Sequence, residues 1–394
     1  MSAFLVDWLN LLLRWAHIVL AIGWIGASFY FVWLDFSLRR RERMNEGVYG
    51  TSWMVHGGGF YHVEKYTVAP AALPPDLHWF QWEAYLTFVT GMLLMAVQYY
   101  WNADAYLIDA SVMPLSRGGA ILISLASLAG GWLIYDGLCR SPVGRHTGLL
   151  VLCVFVLVVG AAFLFTHIFS GRGALIHVGA FVGTIMAANV FRIIIPNQRI
   201  LVGQLLRGEK PDADLGRIGK QRSLHNNYLT LPVIVMMVSN HYPLLTDHPH
   251  AWLVVALILV AGAMIRHLIN RADAGDPFEG YAWTLPVIAL ALFVAMFVTA
   301  PREAEAVVTG PVSDERAMTI AATHCIACHS EKPTNPTFTK APKGVHLDTI
   351  DNLRKYAAQI EQQAVKGRAM PLGNTTHITD LERAELGAWI AAQK

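Results

Sequence analysis

The sequence predicts an all-α protein, in which a polytopic helical membrane bundle is followed by a small soluble helical domain. Of its 394 residues, 54% are hydrophobic and only 15% are charged, whereas soluble domains carry about 25% charged residues. Apolar runs, each near the roughly 20 residues that cross a bilayer core, fill positions 1–300 and stop at Pro301. We therefore expect a transmembrane domain over 1–300, a linker over 301–312 and a soluble domain over 313–394.

About eight of these apolar runs are long enough to be predicted spans, although the sixth is short and contains Pro232. Positively charged connections are retained in the cytoplasm, so the distribution of Lys and Arg predicts that both termini lie outside it. The basic residues are concentrated in the connections 35–82, 139–147, 196–225 and 271–280, and are absent from 102–116 and 241–250. The predicted spans are about 8–34, 83–101, 117–138, 148–170, 173–195, 227–243, 251–271 and 281–300.

The charge balance argues against nucleic acid as a partner. The formal net charge is only +2, and the basic residues lie in particular connections rather than in a binding stripe. The partner that the composition does indicate is a lipid bilayer.

Cys325, Cys328 and His329 form a Cys-x-x-Cys-His motif. This spacing is typical of covalent c-type haem attachment, in which two thiols bond the porphyrin and the adjacent imidazole binds the iron. The alternatives are a chance match and a zinc or redox Cys-x-x-Cys site. Helices predicted before the motif, over 313–324, and after it, over 380–392, indicate a class I-like cytochrome c domain carrying one covalent haem c.

The expected second axial ligand of this haem is Met370, which lies in a loop whose following proline fixes the backbone. Methionine opposite histidine raises the reduction potential. Met318 is a competing sulfur ligand, and His346 or His377 could serve instead. The domain is therefore predicted to accept and carry electrons.

Ionisable residues within the spans are candidate functional residues, because burying them in hydrocarbon costs several kcal/mol unless they are paired or solvated. With the deduced orientation, Arg14, His17, His167 and His177 fall toward the outer leaflet. The three histidines could bind a second, non-covalent haem b, or they could make hydrogen bonds between helices. Residues toward the inner leaflet are Asp35, Asp136, Arg192, His225, Arg266 and His267.

The segment 51–83 is rich in aromatic and ionisable side chains. Gly57–Gly59 would allow close approach of a planar ligand, aromatic residues such as Phe60 could stack on it, and Lys65 and Glu83 could move protons. The alternative is an interfacial aromatic belt with lysine at the cytoplasmic surface.

The stretches His-Gly-Gly-Gly-Phe-Tyr from His56 and Leu-His-Trp-Phe-Gln-Trp-Glu-Ala-Tyr from Leu77, together with the Cys-x-x-Cys-His motif, resemble the bacterial membrane-bound urate oxidases with a fused C-terminal cytochrome c. The resemblance covers nearly the whole chain. It implies oxidation of urate to 5-hydroxyisourate, with electrons passed to the haem rather than directly to oxygen. It also implies the haem residues Cys325, Cys328, His329 and Met370. Residues in the matching motifs are the candidates for catalysis, His56, Lys65, His78 and Glu83, and for substrate binding, Gly58, Phe60, Tyr61 and Trp82.

The expected partners are urate or a related purine and, as electron acceptor, a soluble cytochrome c or a terminal oxidase. The expected location is the bacterial inner membrane, with both termini and the cytochrome domain on the periplasmic side. Two rival hypotheses are a non-catalytic cytochrome subunit that receives electrons from quinol or a partner dehydrogenase, and a cytochrome-anchored transporter.

Overall fold

The structure is a computed structural model that describes residues 3–67, 70, 72–74, 76–246, 248–300, 308, 310–367 and 369–393. Of the predicted linker 301–312, positions 301–307 and 309 lie outside the described residues.

The described chain is mostly helical. Its N-terminal part contains α1 (Ala3–Ser37), α2 (Trp82–Met95, continued by a π-helical turn Ala96–Tyr100), α3 (Ala103–Tyr106), α4 (Arg117–Arg140), α5 (Thr147–Thr166), α6 (Gly171–Ala188), α7 (Ile195–Leu206), α8 (Ala213–Val238), α9 (Pro243–Thr246), α10 (Ala251–Ala274) and α11 (Thr284–Val298), with strands β1 (Val48–His56) and β2 (Gly59–Tyr66) between α1 and α2. Its C-terminal part contains α12 (Asp314–His324), α13 (Ile350–Lys355), α14 (Ala357–Ile360, continued by a π-helical segment Glu361–Lys366) and α15 (Asp380–Ala391).

Each of the eight predicted spans overlaps a helix, although the sixth covers only the second half of α8 and continues beyond its end. Within the described residues, five helical stretches are long and apolar enough to cross a membrane. The crossing of the bilayer by α2, α8 and α11 stays a prediction, because α2 and α11 are shorter and the first half of α8 is polar. The five stretches are Phe4–Ser37, Arg117–Arg140, Thr147–Thr166, Gly171–Leu206 and Ala251–Ala274.

Helix α6 lies at the centre of the bundle, where it packs against α4, α5 and α8. Small residues permit this close packing: a Cβ on Gly131 of α4 would lie 2.0 Å from the ring of Phe181 on α6. The fifth span is longer than predicted, because α6 continues through a π-helical segment, Asn189–Ile194, into α7. Helix α1 is peripheral and packs mainly on α2 and α10.

Pro232 lies inside α8 and does not end it. A Cβ on Gly262 of α10 would lie 2.8 Å from the Pro232 ring, so the glycine makes room for the proline against the neighbouring helix. Helix α8 begins at Ala213, well before the predicted start of the sixth span, and its first turns carry the charged side chains that hid it from a search for apolar runs.

Residues 48–66 form an antiparallel β-hairpin, so the prediction of an all-α fold is wrong for this segment. Gly57 and Gly58 form its two-residue turn with φ values of +59° and +80°. A type I′ turn needs positive φ at both central positions, which glycine adopts without steric cost. Strand β1 runs back along the last two turns of α1, where the Ser52 and Ser37 hydroxyls lie 3.0 Å apart and Tyr30 donates to the sulfur of Met54 at 3.4 Å.

The basic connections meet at one end of the bundle, which we call the basic end. There Arg39 donates to the carbonyl of Ala274 at 3.2 Å, and Gln221 donates to the carbonyl of Gly144 at 2.8 Å. The hairpin begins at this end, since Arg39 also forms a β-bridge with Thr51.

The connections with few or no basic residues meet at the opposite end, which we call the docking end because the C-terminal part contacts it. The backbone N–H of Ser170 donates to the carbonyl of Leu107 at 2.9 Å. In the C-terminal part, a Cβ on Gly373 would lie 3.0 Å from the carbonyl oxygen of Asp104 and 3.1 Å from that of Ile108. Basic connections alternate along the sequence with connections that have few or no basic residues, and in the structure the two kinds lie at opposite ends of the bundle.

The C-terminal helices α12 and α15 pack together as predicted, around a small apolar core that includes Ile320 and Trp389. The Trp389 indole donates to Asp314 at 2.8 Å. Helix α15 begins with a capping box, in which the Thr379 hydroxyl accepts from the backbone of Glu382, and the Glu382 carboxylate accepts from the backbone of Thr379.

Candidate functional site

Four of the candidate residues, His56, Gly58, Phe60 and Tyr61, lie at the tip of the hairpin. The Phe60 and Tyr61 side chains are 77% and 52% exposed. Because the glycines are needed for the turn, their presence does not require a ligand. The exposed rings fit the alternative interpretation, an interfacial aromatic belt.

Lys65 lies at the open end of the hairpin, where its amino group is 2.5 Å from the carboxylate of Asp35 on α1. About 20 Å of strand separates Lys65 from the turn, at about 3.3 Å per residue. Both partners are nearly half exposed, and an exposed pair stabilises a protein by at most about 1 kcal/mol. The pair attaches the hairpin to α1 and lies apart from the tip residues.

The remaining candidates lie just before and at the start of α2. The His78 ring contacts the edge of Phe80 with centroids 4.6 Å apart, and Trp82 is exposed. The Glu83 side chain lies 3.8 Å from where Gly23 of α1 would carry a Cβ. The nominated residues thus occupy three places, and the described contacts do not join them into one pocket. Their roles stay predictions.

His17 and His167 lie in different surroundings. The Nδ1 atom of His17 is 3.0 Å from the carbonyl of Thr87 and 3.1 Å from the hydroxyl of Thr90, both on α2. His167 is exposed just after α5, with its Nδ1 2.7 Å from the carbonyl of Phe163.

His177 is fully buried in α6, and both its ring nitrogens are engaged. Its Nε2 is 2.6 Å from the Ser124 hydroxyl, and its Nδ1 is 2.6 Å from the carbonyl of Gly173. These contacts fit the alternative of hydrogen bonds within and between helices, and a second haem bound by His17, His167 and His177 stays a prediction. Among the described residues, no group of three or more His, Cys, Asp or Glu side chains could hold a metal ion.

A polar cluster that the sequence analysis did not identify as a site lies at the docking end. Arg14 of α1 donates to the side-chain carbonyl of Gln98 at 2.5 Å. The neighbouring Tyr99 is 3% exposed, and its hydroxyl accepts a hydrogen bond from Asn240. The Tyr106 ring lies 6.2 Å from that of Tyr99.

Arg172, in the first turn of α6, completes this docking-end cluster, since it and Arg14 lie close enough for their charges to act on both Tyr99 and Tyr106. Its members come from four segments distant in the sequence. In the sequence, Gln98 and Tyr99 are polar residues near a helix end, and Arg172 is the single cation of a tight turn. None of them suggests a binding site when it is considered alone. The sequence therefore gave no sign of them beyond the placement of Arg14 in the outer leaflet.

A second polar region is a cavity of about 370 Å³ at the basic end, bounded by α4, α7 and α8. Arg140, Arg145, Arg217 and Arg222 line it. Arg222 is 1% exposed and donates to Asp136 at 2.7 Å. These arginines belong to the basic connections from which the orientation of the bundle in the membrane is predicted.

The Cys-x-x-Cys-His motif has the chemistry that covalent haem attachment needs. Cys325 and Cys328 are free thiols, and burial raises the pKa of Cys325 to about 12. The Nδ1 atom of His329 is 3.0 Å from the carbonyl of Val345, which fixes the ring and leaves Nε2 as the metal-binding atom. Burial also lowers the pKa of His329, which favours the neutral imidazole that binds a metal.

Met370 lies beside the same apolar core, in a segment held by a buried arginine. Arg383 is 5% exposed and donates to the carbonyl of Met370 at 2.7 Å and to that of Ala364 at 2.5 Å. Met318 also packs at the edge of this core, so both sulfurs remain candidates by position. The residues present fit a c-type haem with His329 and Met370 as the predicted axial ligands.

The C-terminal part contacts the docking end next to the polar cluster. The short helix Leu372–Asn374 and Ala369 share a small cavity with Ala105, Asp109 and Arg172. The Cys328 side chain lies near Tyr106. The predicted haem-attachment motif and the polar cluster are therefore neighbours.

Comparison with protein families matches residues 3–300 to the urate oxidase N-terminal family. Comparisons with curated proteins and with solved structures gave no match. The match covers the whole helical bundle and the hairpin, and it indicates an oxidoreductase that acts on urate or a related purine. The chain therefore belongs to the urate oxidase N-terminal family.

Proposed function

We propose that this protein oxidises urate to 5-hydroxyisourate and passes the electrons to a c-type haem attached to its own C-terminal domain. The observation that carries the proposal is the contact between the two parts: the C-terminal part, which contains the Cys-x-x-Cys-His motif, packs its segment around Gly373 against the docking end of a bundle that belongs to a urate oxidase family.

The reaction balances without molecular oxygen. Urate and one water give 5-hydroxyisourate, two protons and two electrons. The water supplies the added oxygen, so hydrogen peroxide need not form. A c-type haem, when bound, supplies a one-electron acceptor, so the two electrons leave in sequence and pass to a soluble cytochrome or terminal oxidase between steps.

The chain's own residues hold that acceptor in place. Cys325 and Cys328 would attach the porphyrin, and His329, which is oriented by the Val345 carbonyl, and Met370 would bind its iron. Arg383 positions the Met370 backbone.

The geometry favours urate entering from the docking end. The hairpin begins at the basic end, so a reaction there would be separated from the haem by about 30 Å of bilayer. A reaction at the docking end would need no carrier to take electrons across the bilayer. In the predicted orientation it faces the periplasm, which agrees with c-type haem attachment outside the cytoplasm.

Anaerobic addition of urate to the purified, fully oxidised protein tests the proposal. We expect the haem absorbance to shift to the ferrous spectrum, with two haems reduced for each urate consumed. If ascorbate reduces the haem and urate does not, the proposal is wrong. Reduction by a quinol alone would identify the rival carrier subunit. A pyridine haemochrome spectrum showing haem c without haem b would remove the second haem.

A further inference from the structure

Two polar atoms in the docking-end cluster are buried and lack a hydrogen-bond partner among the described residues. They are the Nε of Arg172 and the side-chain oxygen of Asn240. Leaving a buried polar group unsatisfied is costly, and such groups in native proteins are nearly always satisfied by protein, by water or by a bound molecule. Other buried atoms without a partner lie elsewhere among the described residues, for example the Nε of Arg222. The pair in the docking-end cluster therefore leaves hydrogen-bonding capacity for a ligand or for water there.

The same cluster carries uncompensated positive charge. Neither Arg14 nor Arg172 forms a salt bridge within the part of the chain that the structure describes, and Arg14 binds only the neutral side chains of Asn10 and Gln98. Asp7, which acts on Tyr106, is exposed, and Asp109 lines a small cavity with Arg172 without forming an ion pair with it. Because neither arginine is paired with a carboxylate among the described residues, both guanidinium groups can bind an anion through charge-assisted hydrogen bonds, so the expected ligand is anionic.

We propose that the docking-end cluster, formed by Arg14, Gln98, Tyr99, Tyr106, Arg172 and Asn240, is the binding site for a purine anion. The inference rests on the proposed function and makes urate, which is an anion at neutral pH, the ligand.

The chemistry of the cluster matches this ligand. Guanidinium groups bind the anionic, carbonyl-bearing edge of a planar ring through paired N–H donors. The amides of Gln98 and Asn240 can each donate and accept, as the ring N–H and C=O groups of urate require. The partly buried Tyr106 ring provides a flat apolar surface against which a heterocycle packs, and the buried Tyr99 ring contacts it edge-on, with centroids 6.2 Å apart.

The position of the cluster supports the same conclusion. It lies beside Cys328, whereas the arginine-lined cavity lies at the opposite end of the bundle. That cavity is larger, but a ligand there would be separated from the haem by the helical bundle.

Urate binding to the pre-reduced holoprotein isolates this site from catalysis, because a ferrous haem cannot accept electrons. We expect Arg14→Gln and Arg172→Gln to raise the Kd for urate by about tenfold or more, as expected for losing a hydrogen bond to a charged group. Arg172→Lys, which keeps the charge but loses the planar fork, should give an intermediate Kd. Arg145→Gln, in the cavity at the basic end, is the matched control and should bind urate as the wild type does.

The outcomes separate the two proposals. If the wild-type protein neither binds urate nor is reduced by it, the proposed function fails. If it does both but the Arg14 and Arg172 variants bind urate normally, the function stands and the site is wrong. Weaker binding in Arg145→Gln alone would place the site at the basic end. An unchanged haem spectrum and thermal unfolding midpoint show that each variant is folded.

Discussion

Buried arginines hold backbone and side-chain groups in place in both the bundle and the C-terminal domain. In the C-terminal domain, Arg383 binds the carbonyl oxygens of Ala364 and Met370, and removing one partner of a buried charged group usually costs about 3–5 kcal/mol. In the bundle, Arg222 donates to Asp136 in the interior. Arg14 and Arg172 form no ion pair with a described residue: Arg14 donates to the neutral side chains of Asn10 and Gln98, and the Nε of Arg172 is buried without a partner among the described residues, which is why a ligand is proposed there.

Met370→His should lower the reduction potential of the haem while leaving it covalently attached, because a thioether opposite histidine stabilises ferrous iron more than a second imidazole does. We expect a fall of roughly 0.1 V or more, within the about 0.8 V that axial ligands span. Potentiometric titration of the full-length protein measures it. Met318→Leu, which removes the competing sulfur and conserves volume, should leave the potential unchanged; the reverse pattern would make Met318 the ligand.

At the scale of single elements, local side-chain chemistry decides where a helix begins and where a hairpin turns. The capping box of Thr379 and Glu382 starts α15, and Gly57 and Gly58 turn the hairpin. The hairpin tip exposes apolar side chains, among them Val55 and Phe60, at 69% and 77%. Apolar surface of this kind is typical of a segment that lies at a membrane interface.

Thr379→Ala removes the hydroxyl that caps α15, so it should destabilise the C-terminal domain by about 1 kcal/mol. Denaturant unfolding of the full-length protein, followed by the haem absorbance, measures the change. Thr323→Ala, at an exposed position inside α12, is the matched control and should shift the midpoint little. Equal effects of the two substitutions would contradict the role of the cap.

At the scale of the whole molecule, the contact between the two parts would set the path of the electrons in the proposed reaction. Gly373 approaches the carbonyl oxygens of Asp104 and Ile108 so closely that a side chain there would push the surfaces apart. The contact holds the Cys-x-x-Cys-His motif beside the docking-end cluster.

Gly373→Val should therefore slow reduction of the haem by urate, by roughly tenfold or more, since a displacement of about an ångström can already cost that much. Stopped-flow absorbance under anaerobic conditions measures the rate. Gly344→Val is the control, because Gly344 also has positive φ but open space around it. A rate unchanged in Gly373→Val, with normal haem potential in both variants, would show that this contact does not govern electron transfer.

Hydrophobic run length, charge and fixed spacing are local properties, so they are enough to predict the helical bundle, the grouping of basic connections and the likeness of Cys325, Cys328 and His329 to a haem-attachment motif. They do not predict the hairpin, whose glycines the sequence analysis assigns to a ligand contact and the structure to a turn. Only the tertiary structure brought Arg14, Tyr99 and Arg172 together. Contacts between distant segments depend on how helices pack, and no single-segment pattern encodes that packing.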